Sequence, residues 1–337
     1  MVRRVDWDWV TRRNTLLWSV ALVIVFVLGW YVGSVHSASI QTMATPVRIT
    51  DSAYPLISPL VGVNLPSTDT FPELSRVQKD VQSIITDATR TGKAKDVGVY
   101  FRIPANAHSF GINADGQFIP GSLMKVPLMM DYFKLAETDP GVLLQKILYV
   151  QSSTDSLPNL LPPQLSPGNY SIERLIEVMI IDSDNVAKDV LLAHIGQTKL
   201  KEIFNEVHSN FLADPLSTVS PKSYIVFFAR LYNAAFLNRA GSNHALDLLS
   251  HTTFTQGLVA GVPGGVMVAH KYGERGVYED KKLTDVELHD CGIVYLPGTP
   301  YYLCIMTRGS SIDDLSALIR SISSSVYNDR ASFAIKK

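Results

Sequence analysis

The sequence predicts an α+β domain whose sheet combines strands from both ends of the chain, preceded by one N-terminal membrane-spanning helix. Three observations lead there. Strand-like segments fall early, at 97–103 and 107–112, and again late, at 266–272, 290–296 and 301–308. Helical spacing of apolar residues fills most of the interval between them. A charge-free apolar run, 15–35, stands ahead of both.

The N-terminal run is read first. Residues 1–14 carry Arg3, Arg4, Arg12 and Arg13, and about 20 apolar residues suffice to cross a bilayer. Arginines on that side predict a cytoplasmic tail at 1–14, an anchor at 15–36 in the lipid bilayer and an extracytoplasmic remainder. Trp18 and Trp30 suit the two interfaces. A signal peptide cleaved near Val35-His36-Ser37 is the alternative, but the run is longer than a usual signal core. Residues 37–71, rich in Ser, Thr and Pro, read as a linker. Its apolar patch at 54–61 is too sticky for a free linker and is expected to pack on the domain that follows, 72–330.

In that domain, Leu74, Val77, Val81, Ile84 and Ile85 predict a helix to about Thr91. The strands at 97–103 and 107–112 follow, then a turn at Ala114-Asp115-Gly116. Pro120-Gly121 punctuates a second turn, and an apolar helix runs over 123–135, so Ser122 falls at its N-terminus. Residues 152–170 read as a Pro/Ser-rich loop. Helices are expected at 171–179 and 186–195, separated by a break at Ser183-Asp184-Asn185 whose side chains hydrogen-bond backbone outside helices. Further helices are expected at 200–207, from Ser220-Pro221 to Leu237, and at 315–327.

The formal charge of −1 argues against a nucleic-acid partner, and no internal repeat is evident. The mean hydropathy of +0.12 owes much to the N-terminal run. His270 and His289 lack metal-ligand spacing and read as strand residues, so neither metal nor cofactor is expected. His289-Asp290 reads as a supporting hydrogen-bonded pair. Cys291 and Cys304 lie symmetrically about the turn at 297–300, which leaves a cross-strand disulfide open.

Three short motifs occur in order: Ser122-Leu123-Met124-Lys125, Ser183-Asp184-Asn185 and Lys271-Tyr272-Gly273. Each alone has a plain structural reading, as a helix cap, a capping turn and a strand end. Together they match the S-x-x-K, S-D-N and K-T-G set of class A β-lactamases and penicillin-binding proteins. From about Glu73 to Tyr327 the chain resembles that family of serine hydrolases. The resemblance implies a β-lactamase/transpeptidase-like fold, with an antiparallel sheet flanked by helices and an all-helical subdomain. It implies Ser122 as nucleophile, Lys125 as its base or proton relay, Ser183 as proton shuttle to the leaving nitrogen, and Lys271 as the cation holding Ser183 and a substrate carboxylate. Asn185 would grip the substrate amide, and the backbone N–H groups of Ser122 and Glu274 would form the oxyanion hole. The implied partners are β-lactams or the D-alanyl cell-wall peptides that they mimic.

Two departures qualify the resemblance. Tyr272 stands where the family has Thr or Ser, which is expected to carry its phenol outward and disturb carboxylate recognition; Arg275 is a candidate substitute cation. Ser183 and Ser220 are only 37 positions apart, and Glu202 and Glu206 between them sit in no Glu-x-x-x-Asn pattern, so the Ω-loop that activates the deacylating water reads as missing. The expectation is a membrane-anchored serine acyltransferase or hydrolase that acylates and deacylates slowly. The competing readings are a D,D-peptidase-like cell-wall enzyme and a catalytically weak wall-binding scaffold.

Overall fold

The computed structural model describes residues 47–48, 53–58, 60–62, 71–150, 163–196, 218–280 and 282–334. A short antiparallel ladder joins Val47–Arg48 to Leu60–Gly62. The elements that build the domain are α1 (Ser75–Arg90), β1 (Asp96–Arg102), β2 (Ser109–Ile112), α2 (Lys125–Ala136), β3 (Lys146–Tyr149) and β4 (Gly168–Ser171), then α3 (Ile172–Ile181), α4 (Asn185–Ile195), α5 (Pro221–Tyr232) and α6 (Arg239–Ser250), and finally β5 (Val268–Glu279), β6 (Lys282–Val294), β7 (Tyr301–Gly309) and α7 (Ile312–Ala334).

The main sheet has the order β2-β1-β7-β6-β5, and its pairings are antiparallel. Strands from the two ends of the chain therefore meet, as the periodicity predicts. The centre of the sheet is apolar on both faces because both faces are covered. Leu303 and Ile305 pack with Val77 and Val81 of α1 and Leu315 and Ile319 of α7. Tyr302, Cys304 and Met306, alternating with them, pack with Tyr224 and Phe228 of α5 and with α2 and α3. The apolar patch within the linker joins this second core: Leu56 and Ile57 are buried, and the Ser58 amide donates to the Tyr232 carbonyl at 2.8 Å.

Several expectations need correction. Residues 168–171 form β4, paired with β3, where a loop to Tyr170 and a helix from Ser171 were expected; Gly168, Asn169 and Ser171 hide a strand from an apolar-alternation test. The helix starting at Pro221 stops at Tyr232 instead of Leu237, because Asn233 ends it and Ala234 turns at φ +47°. Helix α6 was not anticipated; Arg239, Gly241, Ser242 and Asn243 give it a polar first turn, and its signal is the Asn238 cap, whose side chain accepts from the Gly241 amide at 2.8 Å. Strand β5 runs on to Glu279 and pairs with a β6 that begins at Lys282, a hairpin concealed by its charged residues. The terminal helix is longer than 315–327 at both ends.

Cys291 and Cys304 sit opposite each other in the β6–β7 register and are joined by a disulfide. Among the described residues no helix is long and apolar enough to cross a membrane. The expected anchor at 15–36 and the expected helix at 200–207, with Glu202 and Glu206, lie outside the described residues.

Candidate active site

Ser122 sits in a 3-10 turn, Gly121–Met124, that leads directly into α2. Gly121 takes φ +54°, a conformation that L side chains rarely adopt. A Cβ there would also stand 2.8 Å from the Glu274 carbonyl oxygen and 3.4 Å from the Glu274 nitrogen. From the other side, a Cβ on Gly273 would stand 2.5 Å from the Pro120 carbonyl oxygen and 3.0 Å from the Leu123 side chain. Two missing side chains thus let the edge of β5 touch the turn that carries Ser122. Gly273→Ala is expected to force the two apart, costing about 1–3 kcal/mol of stability and at least tenfold in reactivity at Ser122. Urea unfolding and the rate of Ser122 acylation check this; wild-type values for both would contradict it.

The turn is also held from behind. Ile119 donates its amide to Glu287 Oε2 at 3.2 Å, and its carbonyl accepts from His289 Nε2 at 2.9 Å. The Thr307 amide donates to His289 Nδ1 at 3.2 Å, which leaves the ring proton on Nε2. Burial pushes His289 down to about 4, so the ring is neutral and this tautomer persists. Glu287 Oε1 accepts from Arg308 Nε and Nη2 at 2.9 and 2.8 Å. Sequence reading assigned none of these residues to holding the turn. The one available signal was the spacing of Glu287 and His289, two residues apart on one strand face. The expected His289-Asp290 pair does not form. Asp290 instead binds His270, Nδ1 to Oδ1 at 2.7 Å, and accepts the Leu258 amide at 2.8 Å, because adjacent strand residues point to opposite faces.

Lys125 lies one turn beyond Ser122, fully buried, and its Nζ is 2.9 Å from Ser122 Oγ. The same nitrogen lies 2.6 Å from the Ser183 carbonyl oxygen, 3.0 Å from Ser183 Oγ and 2.7 Å from Asn185 Oδ1. Ser183 can offer both its carbonyl and its hydroxyl because it sits at φ +57° between α3 and α4. A left-handed non-glycine residue costs about 1–3 kcal/mol. Asp184 holds it there: one carboxylate oxygen caps the Ala187 amide at 2.7 Å, and the other accepts from Tyr149 Oη and the Gln164 amide, both at 2.7 Å.

Lys271 approaches from β5, and its Nζ donates to Ser183 Oγ at 2.9 Å and to the Tyr272 carbonyl at 3.3 Å. Ser122, Lys125, Ser183, Asn185 and Lys271, far apart in sequence, are therefore brought together. Burial, then the charges of Lys271 and Lys188, push Lys125 well below an ordinary lysine. Burial brings Lys271 down to about 7, with Asp290, Glu274 and Asp182 pulling it back up. Lys125 is thereby suited to accept a proton, and Ser183 stands between the two amines as a relay.

These lowered lysines set a pH dependence of stability. The unfolded chain keeps Lys271 protonated up to about 10.5, whereas the folded chain releases that proton near 7. Between those values the unfolded state binds more protons, so stability rises with pH, by up to about 1.4 kcal/mol per unit for each such group. The urea midpoint is expected to rise from pH 7 to pH 9 more steeply in wild type than in Lys271→Met; parallel profiles would refute the assignment.

Tyr272 departs from its expected position. Its side chain does not extend outward: it is 5% exposed and stacks on Phe254 at 4.3 Å between ring centroids. The Lys271 Nζ stands 4.2 Å from its ring centroid. Burial pushes the phenol up to about 12, so it stays protonated. Glu274, half-buried, is raised by burial and lowered by the charges of Lys271 and Lys125. Arg275 is half-buried, and its charge acts on Glu287. Among the described residues no group of three or more His, Cys, Asp or Glu is placed to hold a metal.

Fold and site together define a serine hydrolase class built on the α+β β-lactamase/transpeptidase-like fold. A family model described as the beta-lactamase enzyme family matches residues 76–329, and the chain belongs to that family. It is similar to the extended-spectrum beta-lactamase PER-1 of Pseudomonas aeruginosa, 23% identical over 304 residues that cover 83% of this chain and 94% of that protein. Among solved structures, a PBP-A mutant in acyl-enzyme complex with penicillin G superposes with a TM-score of 0.64 at 23% identity, covering 78% of this chain and all of that one. A class A beta-lactamase from Mycobacterium abscessus gives a TM-score of 0.63 at 20% identity, covering 76% of this chain and 99% of that one.

Proposed function

We propose that this protein is a serine acyltransferase or hydrolase that forms an acyl-enzyme at Ser122 with β-lactams or D-alanyl peptides. The observation that carries the reading is the buried Lys125 amine, 2.9 Å from Ser122 Oγ and sharing Ser183 with Lys271. Ser122 Oγ attacks the carbonyl carbon while its proton passes to Lys125. The amide N–H groups of Ser122 and Glu274 receive the developing oxyanion. Ser183 then hands a proton to the leaving nitrogen as the C–N bond breaks, and Lys125 or Lys271 re-protonates Ser183. Asn185 orients the substrate amide. The PBP-A neighbour in acyl-enzyme complex with penicillin G lends support by fold alone.

Hydrolysis of that acyl-enzyme is slow in this reading, since neither Glu202 nor Glu206 carries the expected water-activating pattern. Residues 15–36 anchor the protein in the membrane, with the catalytic domain outside; the Cys291–Cys304 disulfide suits such an oxidising compartment. A D,D-peptidase-like role without useful β-lactamase turnover is the second reading, and the lack of a Glu-x-x-x-Asn pattern between Ser183 and Ser220 favours it.

The test is intact-mass measurement of the detergent-solubilised chain after incubation with benzylpenicillin, alongside loss of the β-lactam. A long-lived adduct that is absent in Ser122→Ala is expected. Rapid β-lactam loss without an adduct would mean efficient deacylation, and neither adduct nor loss across several β-lactams would leave the scaffold role.

A further inference from the structure

The surroundings of Lys271 differ from those of a carboxylate anchor. An ammonium has three donors, and the protein occupies all of those of Lys271: Ser183 Oγ at 2.9 Å, the Tyr272 carbonyl at 3.3 Å and the face of the Tyr272 ring at 4.2 Å. Lys125 offers no replacement, since Ser122, Ser183 and Asn185 already surround its nitrogen. The tyrosine ring cannot swing aside cheaply, because it is buried and stacked on Phe254 at 4.3 Å. Three acids add to the difficulty. The charges of Asp290, Glu274 and Asp182 all reach Lys271, so an arriving carboxylate would be a further anion beside a covered cation. Arg275 lies four residues along β5 from Lys271, opposite Glu287 in the β5–β6 register.

We propose that this site selects acyl donors that are neutral, as an amide or an ester, where the family pattern grips a carboxylate, with Tyr272 and Glu274 as the specificity-determining residues. A neutral carbonyl needs only one donor and brings no charge to be compensated, and the protonated Tyr272 phenol can supply that donor. The inference rests on the acyl-transfer reading of Ser122 and adds the substrate class. It also accounts for Glu274, whose side chain has no part in the acyl-transfer steps.

The test compares benzylpenicillin with its methyl ester as acylating agents of the full-length, detergent-solubilised protein. Second-order rates of Ser122 adduct formation are read by intact mass, each divided by that compound's rate of alkaline hydrolysis to remove intrinsic reactivity. Wild type is expected to favour the ester by at least about tenfold, the size of one well-placed polar contact. Tyr272→Thr is expected to shift the ratio about tenfold or more toward the free acid. Glu274→Gln, which keeps the shape and removes the charge, is expected to shift it the same way by less, and it keeps the test decisive if the threonine variant fails to fold. Wild type that prefers the free acid overturns this inference and leaves acyl transfer standing. No Ser122 adduct from either compound overturns acyl transfer and this inference together.

Discussion

Replacing Lys125 with methionine is expected to slow acylation of Ser122 by about 10²–10⁴-fold, the usual contribution of a positioned general base, while the protein stays folded. The two effects separate for a physical reason. Lys125 is fully buried, and burial disfavours its charged form, so the amine is costly to keep in place. Methionine has similar length and no charge to desolvate. It leaves the Ser183 carbonyl and Asn185 Oδ1 without their 2.6 and 2.7 Å contacts, which offsets part of that gain. The net change in unfolding free energy is expected to be within about 1.5 kcal/mol of wild type. Intact-mass acylation rates and urea unfolding read the two quantities independently. An acylation rate within tenfold of wild type, in a folded variant, would remove Lys125 from the proton-transfer role.

The second large effect is expected at Asp184, and it falls on stability first. This carboxylate is buried and accepts three hydrogen bonds, from the Ala187 amide, Tyr149 Oη and the Gln164 amide. Asp184→Ala removes a helix cap, worth about 1 kcal/mol, strands the buried Tyr149 hydroxyl, at about 1–3 kcal/mol, and removes a part-buried bond from the exposed Gln164. A total loss of about 2–4 kcal/mol is expected. Asp184→Asn keeps an oxygen for the cap but turns a donor toward the Gln164 amide, so it is expected to lose about half as much. Because Ser183 is held at φ +57° next to Asp184, both variants should also lose acylation in proportion to how far that turn relaxes. Equal unfolding midpoints for Asp184→Ala and wild type would contradict the proposed role.

The sequence by itself determined the architecture and the parts of the site. Alternation at 97–103 and an apolar run at 301–308 after the 297–300 turn marked strands that do pair, through contacts such as Tyr100 opposite Cys304. The order of Ser122, Lys125, Ser183, Asn185 and Lys271 was enough to nominate residues that the fold brings to within hydrogen-bonding distance. Short-range rules sufficed there, because caps, turns and strand ends are written in neighbouring residues. Tertiary structure alone decided what surrounds them. No local rule could place Tyr272 inward on Phe254, pair Asp290 with His270 instead of His289, or set Glu287 and His289 against the backbone of Ile119. Those outcomes depend on which distant chain segments cover each face of the sheet. The same packing desolvates Lys125 and Lys271, and their lowered proton affinity, on which the proposed chemistry depends, exists only in the folded molecule.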